Sequence, residues 1–392
     1  MDARSSHSGM DSIYLTEEHV ALRDQVARFL AKEVEPHGEA WEEQGFVPRD
    51  VLRKMGELGF FGITYPAEFG GAEADALTAL VFAEAVSRTT FGGFAATVLV
   101  HTDMASPHLV NAGSREQIER YLPAIIRGER ITAVAVTEPD AGSDVAAIRT
   151  RARKDGDSWL LNGAKMFITN GVHADLYFVA ARTDREAKGS RGISMFIVEK
   201  GFPGFRVGRA LKKTGWLCSD TAELVFEDCR VPGENLLGEE NAGFYAVMKN
   251  FQTERIAAAA IAVGHSLTAI RLTVEYVKSR KAFGGVLFDK QVIRQRLAML
   301  ESRTHAARQF LYHCGWLAGQ KRDCVREVSM LKALTGELVN EVVYTCQQFH
   351  GGMGYMRESA IERLARDSRV LSIGGGATEV MLEEVAKRFG PD

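Results

Sequence analysis

Two polar segments carry hydroxyl and aromatic side chains in an order that suits the binding of a flat heterocycle. The first, Thr-Glu-Pro-Asp-Ala-Gly-Ser-Asp at 137–144, follows a β-rich run, and its Pro and Gly force a turn that holds two hydroxyls. The second, Phe-Ile-Thr-Asn-Gly at 167–171, places an aromatic ring two residues from a hydroxyl. An aromatic face can pack on a ring system while a hydroxyl bonds one of its heteroatoms. Each segment alone is equally typical of an ordinary polar turn.

Two glycine clusters, at 351–354 and 374–376, lie between predicted helices. A tight helix–helix turn explains either cluster alone, but bare backbone also lets a phosphate or a flat ring approach closely. Other signatures are absent: no GxGxxG follows a predicted strand, and no Walker A loop, GxSxG or HExxH motif occurs. These absences disfavour a Rossmann dehydrogenase, a P-loop NTPase, an α/β-hydrolase and a zincin.

Composition narrows the class of protein further. The 392 residues include 48 Lys and Arg against 51 Asp and Glu, a net charge of −3 that offers no basic surface for nucleic acid. Five scattered cysteines without CxxC indicate a reducing compartment and no metal module. The polar segment Met1 to Met10 lacks the apolar core of a signal peptide, and the longest apolar run, 256–263, is too short to span a bilayer. We therefore expect a cytoplasmic protein without membrane insertion.

The hydrophobic pattern divides the chain into helical, β-rich and helical parts, predicted as domains at 1–130, 131–240 and 241–392. An Asn162-Gly163 pair predicts a hairpin turn between strands at 159–161 and 165–169. The stretch 243–280 has helical spacing and no proline, although it is long for a single helix. Because strands do not alternate with helices, a doubly wound parallel sheet is disfavoured. The further predicted helices are 20–34, 51–58, 77–86, 94–112, 114–127, 292–317, 325–349 and 379–389, and the further strands are 131–136, 176–181, 194–198 and 223–226.

Seven segments in series resemble the acyl-CoA dehydrogenase family, and together they span nearly the whole chain in the family's order. The resemblance implies an α+β multidomain fold: a helical N-terminal domain, a β-barrel-like middle domain and a C-terminal four-helix bundle. It also implies an FAD-dependent enzyme that oxidises an acyl-CoA to the trans-2-enoyl-CoA, passes electrons to electron-transfer flavoprotein and forms a homotetramer. The segments are 135–144, 162–171, 213–221, 226–232, 235–238, 280–284 and 348–354.

By the same resemblance, individual residues acquire expected roles. Contacts to the flavin ring are expected from Val136, Thr137, Phe167 and Thr169, and contacts to the acyl-CoA from Ser143, Phe251, Arg255 and Gly375. Contacts to the pyrophosphate and adenosine of a neighbouring subunit's FAD are expected from Arg280, Phe283, Gln291, Gln348 and Gly352, with further cofactor contacts from Thr378 and Glu379. Two positions depart from the common pattern. Phe167 replaces a frequent Trp, and Ala377 stands where a Thr often lies near FAD.

The catalytic base must accept a weakly acidic α-proton, which suits a carboxylate whose pKa is raised by burial. Most family members carry this base in a turn near the C-terminus, where this chain has Gly375, which has no side-chain proton acceptor. The isovaleryl and long-chain types instead place Glu before Arg on the first helix of the C-terminal domain, which matches Glu254-Arg255. The region around Glu254 and Gly374 also resembles citronellyl-CoA dehydrogenases. The resemblance thus implies that Glu254 is the base, and it favours a medium-to-long or branched acyl chain.

Local sequence agrees with that role, because none of the neighbours of Glu254 three or four positions away on a helix is cationic. The alternative is a solvated helix-face Glu or one paired with a distant Arg, and Glu379 is a weaker rival as base. Three other functions share parts of the pattern. Acyl-CoA oxidases are usually longer chains, nitroalkane-oxidase-like members use an Asp base, and a flavin-containing nucleic-acid-binding relative needs a basic face.

Overall fold

The N-terminal part is helical, as predicted. The computed structural model describes residues 12–184, 186–187 and 189–390, so the segment Met1 to Met10 lies outside the described residues. Caps fix several helix starts: the Asp75 carboxylate accepts the Thr78 amide, and Ser114 and Gln117 form a capping box. Two turns of π-helix, Leu30–Val34 and Val100–Ala105, continue helices. The helices are α1 (Glu17–Phe29), α2 (Gly38–Gln44), α3 (Arg49–Glu57), α4 (Ala76–Val86), α5 (Gly92–Leu99), α6 (Pro107–Ala112) and α7 (Arg115–Ile126).

The middle part is one eight-stranded sheet in the order β6-β7-β3-β2-β4-β5-β8, with β1 paired to β4. The pairs β1–β4 and β2–β4 are parallel, and the other pairs are antiparallel. The strands β4 and β5 are buried along almost their whole length, which explains their continuous apolar sequences. The strands are β1 (Thr132–Ala135), β2 (Arg151–Asp155), β3 (Ser158–Thr169), β4 (Leu176–Arg182), β5 (Ile193–Glu199), β6 (Phe205–Ala210), β7 (Thr221–Pro232) and β8 (Leu236–Leu237).

The hairpin predicted at Asn162-Gly163 is wrong. Both residues lie inside the continuous strand β3, at a register shift against β7. Glycine is needed there because a β-carbon on Gly163 would lie 2.6 Å from the Thr150 hydroxyl oxygen. The real hairpin joins β2 to β3 through Gly156 and Asp157, where Asp155 pairs with Ser158. The glycine thus marks a close approach of two chain segments and not a turn.

The C-terminal part is a helical bundle in which α8, α9, α10 and α12 pack on one another. The prediction of a long helix is confirmed, since Gly243–Ser279 is a single helix of 37 residues. By length and composition α8 could cross a membrane, but 78% of its most apolar window is buried in the fold, as in a core helix. The elements are α8 (Gly243–Ser279), β9 (Lys281–Ala282), β10 (Gly285–Val286), α9 (Gln291–Gly319), α10 (Val325–His350), α11 (Ala360–Ser368) and α12 (Thr378–Ala386).

The N-terminal and C-terminal helices share one hydrophobic core, to which α1, α4, α8, α9 and α10 all contribute. The sheet has its own core around Trp159, Tyr177 and Phe226. A third cluster, which includes Tyr121, Ile193 and Val247, joins all three parts. The predicted fold class, helical then sheet then helical, is confirmed. Because the junction is packed with buried side chains, the segments from the three parts that form the site are held rigidly.

Candidate active site

The predicted base lies directly beside the glycine turn that precedes α12. Gly375 has φ +63°, and a β-carbon built on it would lie 3.5 Å from Oε1 of Glu254 and 3.9 Å from the Ala258 β-carbon. The Glu254 carboxylate therefore fills the space that the absent side chain leaves free. Helix α8 and this turn bring together the two positions at which sequence analysis places a base in the family.

The surroundings of Glu254 make its carboxylate a weak acid. Burial raises the pKa of Glu254 to about 7, although the positive charges of Arg255 and Lys332 oppose this shift. Among the described residues, no hydrogen bond or ion pair to this carboxylate is found. A carboxylate that is half ionised near neutral pH and has no fixed partner is suited to accept a proton from a bound molecule.

Several polar atoms on the stretch of α8 around Glu254 lack a hydrogen-bond partner within the described part of the chain. Asn250 Oδ1, Gln252 Oε1 and Arg255 Nε are buried and have no hydrogen-bond partner among the described residues. Such atoms are rare in folded proteins unless a bound molecule or water satisfies them. Arg255 also lies over the ring of Phe251, with 5.9 Å between the guanidinium carbon and the ring centroid. Two predicted substrate contacts, Arg255 and Gly375, thus act on or lie beside the predicted base, and the third, Phe251, lies under the Arg255 guanidinium.

The four predicted flavin-ring contacts come together where β1 and β3 end. The carbonyl of Thr137 accepts the Met166 amide at 2.9 Å, which joins the segment after β1 to β3. Phe167 has φ +62°, a strained value for an aromatic residue, and 66% of it is exposed. A register shift in β3 between Lys165 and Ile168 turns this ring out of the sheet. The backbone bond of Met166 to Thr137 and the Lys165 bond to the Val136 carbonyl bring the segment after β1 next to the part of β3 that carries this exposed ring.

A buried ion pair, which sequence analysis missed, holds these two segments together. Lys165 is fully buried, and its ammonium donates to the Val136 carbonyl at 2.9 Å and to the Glu138 carboxylate at 2.8 Å. Glu138 also accepts the backbone amides of Arg149 and Thr150. Burial lowers the pKa of Lys165 to about 8, and Glu138 opposes that shift. The sequence offered one signal for this ion pair, which is a lysine at an inward-facing position of a predicted strand.

A second group of predicted cofactor contacts lies on the C-terminal bundle. Arg280, Gln348 and Gly352 line a cleft of about 600 Å³ between the end of α8 and the end of α10. A β-carbon on Gly352 would have open space around it, so the backbone is accessible to a bound group. Phe283, next to this cleft in sequence, is 89% exposed with φ +50°, and Gln291 is exposed at the start of α9. A cation, an amide and bare backbone in one cleft fit a pyrophosphate and an adenosine.

The remaining predicted contacts are less engaged with either group. Ser143 is exposed in the loop after β1, and Glu379 is exposed in the first turn of α12. Thr378 is buried, and its hydroxyl donates to Glu337 at 2.9 Å within the chain. Their expected roles stay predictions.

Comparison with known proteins decides the family. Models of the acyl-CoA dehydrogenase N-terminal, middle and C-terminal domains match residues 16–129, 133–229 and 241–390. The chain belongs to the acyl-CoA dehydrogenase family. It is 41% identical to the mitochondrial long-chain specific acyl-CoA dehydrogenase of Mus musculus, over 100% of this chain and 94% of that protein. It is 35% identical to the mitochondrial isovaleryl-CoA dehydrogenase of Pongo abelii, over 96% and 90% respectively.

Several solved structures have the same fold, and one of them is an acyl-CoA dehydrogenase. The enzyme from Geobacillus kaustophilus is 41% identical and superposes with a TM-score of 0.93, over 97% of this chain and 100% of that one. A structure described as PigA with FAD and proline has a TM-score of 0.92 at 27% identity, over 96% and 98%. A structure from work on the electron transferring flavoprotein of Acidaminococcus fermentans has a TM-score of 0.93 at 36% identity, over 96% and 99%. This acyl-CoA dehydrogenase is therefore an oxidoreductase that acts on an acyl-CoA.

Proposed function

We propose that Glu254 is the base that removes the α-proton of the acyl-CoA. The supporting observation is the position of its carboxylate against Gly375, because no side chain competes with it there. The pKa of about 7 lets a large fraction of Glu254 be ionised at neutral pH while it remains basic enough to accept a carbon-bound proton. Arg255 and the backbone of the glycine turn border the same space and orient the substrate.

FAD is the cofactor, and when bound it supplies the acceptor for the hydride that leaves the β-carbon. The exposed ring of Phe167 and the residues Val136, Thr137 and Thr169 would hold its ring system. The cleft of Arg280, Gln348 and Gly352 would hold the pyrophosphate and adenosine of the FAD of a neighbouring subunit. The arrangement of hydroxyls and bare backbone in both groups fits this cofactor.

We infer a medium-to-long or branched acyl chain as substrate. The base on α8 matches the long-chain and isovaleryl types, and the relatives named above carry those two names. Kinetics with straight and branched acyl-CoA series test this inference. The expected order places octanoyl- to palmitoyl-CoA or branched thioesters above butyryl-CoA in kcat/KM, and the reverse order contradicts it.

Electron-transfer flavoprotein is the proposed acceptor and a homotetramer the proposed assembly. Large exposed apolar side chains on the C-terminal part, among them Phe283, Tyr344 and Tyr355, support an assembly that covers them. Light scattering of the FAD-loaded protein is expected to give four chains, and a loaded monomer contradicts the shared cleft. For the acceptor, electron-transfer flavoprotein is expected to reoxidise the reduced flavin faster than oxygen does. An oxidase would show the opposite order of rates.

Replacement of the base tests the central proposal. Glu254→Gln removes the proton acceptor with little change in size, so the variant is expected to keep FAD and bind acyl-CoA. Anaerobic flavin reduction followed at 450 nm is expected to slow by roughly three orders of magnitude or more. Glu383→Gln is the matched control, because this carboxylate is exposed on α12 and has no expected contact with substrate or cofactor, and the variant is expected to reduce flavin normally. Near-normal reduction by Glu254→Gln would assign the base to another residue.

A further inference from the structure

Lys332 is a buried cation that no step described so far uses. It lies on α10, is only 1% exposed, and its ammonium donates to the carbonyls of Leu371 and Gly376, each at 2.7 Å. Leu371 precedes the glycines at 374–376, and Gly376 is the last of them. Among the described residues no carboxylate lies within 4.0 Å of this ammonium, so neutral carbonyls are its hydrogen-bond partners. A lysine buried without an ion pair is costly and calls for a function.

The turn that Lys332 holds is rich in glycine, and the Thr378 hydroxyl also donates across it to the Ser372 carbonyl at 3.4 Å. Gly375 and Gly376 have φ of +63° and +99°, and three glycines in a row lose much conformational entropy when they are ordered. Around this segment, amides of Ile373 and Gly374 both donate to the Val370 carbonyl. The ammonium supplies a further constraint by joining Leu371, which lies upstream of the turn, to Gly376, the last glycine of the turn. The position of Gly375, and with it the space beside Glu254, therefore depends on Lys332.

The same ammonium acts on Glu254 through its charge. Lys332 stabilises the ionised carboxylate, and Glu254 in turn stabilises the charged ammonium. Other charged groups act on this pair as well. On α8, Arg255 favours the Glu254 carboxylate and disfavours the charged Lys332, while Glu337 on α10 acts on Lys332. Glu384 on α12 and Arg388, just beyond the end of α12, act on Arg255. Of the two cations that act directly on Glu254, only Lys332 also holds the glycine turn.

We propose that Lys332 is a positioning residue for the catalytic base: one ammonium fixes the glycine turn against which Glu254 packs and keeps a positive charge near its carboxylate. This inference rests on the proposed role of Glu254. It explains why a lysine is buried on the apolar face of α10, between Val328 and Thr335. It also assigns a role to the glycine turn: its backbone, which carries no side chains, forms one wall of the pocket around Glu254.

The test compares Lys332→Gln, Lys332→Met and Ser329→Ala in the FAD-loaded enzyme. Gln keeps a donor for the carbonyls but no charge, whereas Met keeps neither. Ser329 is the matched control, since it is buried on the same helix and its hydroxyl donates only within α10. Flavin reduction by acyl-CoA is measured from pH 5.5 to 9. Both lysine variants are expected to move the midpoint of the rise upward by roughly one pH unit, because the charge that favours the carboxylate is gone.

Hydrogen–deuterium exchange supplies a readout independent of turnover. Peptides covering 371–377 are expected to exchange faster in Lys332→Met than in the parent, with a smaller effect in Lys332→Gln and none in Ser329→Ala. An unchanged pH midpoint together with unchanged exchange overturns the inference, as does a uniform loss of rate at every pH. Glu254→Gln, measured alongside, separates the two proposals: normal reduction by that variant overturns both, while its inactivity with unshifted Lys332 variants overturns only the role of Lys332.

Discussion

Oε1 of Glu254 lies 3.5 Å from the position that a β-carbon on Gly375 would occupy. A carboxylate carried on α8 therefore reaches the space beside the turn that precedes α12. A side chain on residue 375 would start in the same space. A β-carbon at 375 would be in ordinary van der Waals contact with the carboxylate, so a longer side chain there would compete with Glu254 for this space.

Relocating the base tests this relationship. The double variant Glu254→Gln with Gly375→Glu is expected to recover part of the flavin reduction lost in Glu254→Gln, because the new carboxylate begins in the same pocket. Recovery is expected to stay well below the parent rate. At φ +63° a residue with a β-carbon costs about 1–2 kcal/mol, which displaces the turn. The recovery is measured as the stopped-flow rate of flavin reduction by one acyl-CoA. The control is Gly375→Ala in the Glu254→Gln background. No gain over that control contradicts the shared pocket.

The pH dependence of the parent enzyme follows from the burial of Glu254. Burial raises its pKa to about 7, and only the ionised form accepts the α-proton. The kcat/KM for acyl-CoA is therefore expected to rise with pH through a midpoint near 7, and to fall about tenfold per unit well below it. The profile is measured between pH 5.5 and 8.5 with a fixed electron acceptor. A profile that is flat down to pH 5.5 would contradict a buried carboxylate as base.

A buried ion pair far from the site makes a separate prediction about stability. Glu84 is 1% exposed and accepts hydrogen bonds from Arg308 at 2.9 Å, from Arg88 at 2.6 Å and from the Tyr312 hydroxyl. Arg308→Met keeps much of the apolar stem but removes one of the two cations, which is expected to destabilise the fold by roughly 3 kcal/mol. Thermal unfolding of the FAD-loaded protein checks this. Arg303→Met, on the same helix but in an exposed pair with Glu341, is the control and is expected to change little.

The same pair also sets a response to acid. Although burial opposes it, the charges of Arg88 and Arg308 hold the pKa of Glu84 down to about 2, below its usual value of 4.5. Because the folded pKa is depressed, the stabilisation is complete above about pH 4.5 and is lost as the pH falls toward 2. The difference in thermal midpoint between the parent and Arg308→Met is expected to shrink over that interval. A difference that is constant from pH 6 to pH 3 contradicts the ion-pair explanation.

Sequence alone predicted the order of the three parts and the residues around the base, because long periodic helices and a series of family motifs are local signals. It misplaced the hairpin at Asn162-Gly163, since the same dipeptide serves in β3 as a point of close approach to Thr150. It missed Lys332 and Lys165 because their roles depend on distant partners. The carbonyl of Gly376 meets Lys332 only after α10 and the glycine turn have packed. Contacts of this kind are set by tertiary structure. In the sequence their one sign is a lysine at a position that otherwise belongs to an apolar face.

The ion pair of Lys165 and Glu138 makes the last prediction, which concerns FAD affinity. Lys165 fixes the Val136 carbonyl, and Val136 and Thr137 form one side of the proposed flavin site. Lys165→Met leaves Glu138 buried with two backbone amides as partners, so the segment after β1 is expected to shift. The expected result is at least roughly tenfold weaker FAD binding, about 1.4 kcal/mol, measured by the change in flavin fluorescence on titration of the apoprotein. Lys154→Met is the control. Lys154 lies on β2, the strand next to β3, and the substitution removes its exposed ion pair with Glu240. Equal affinity in both variants would show that the flavin site does not depend on this buried pair.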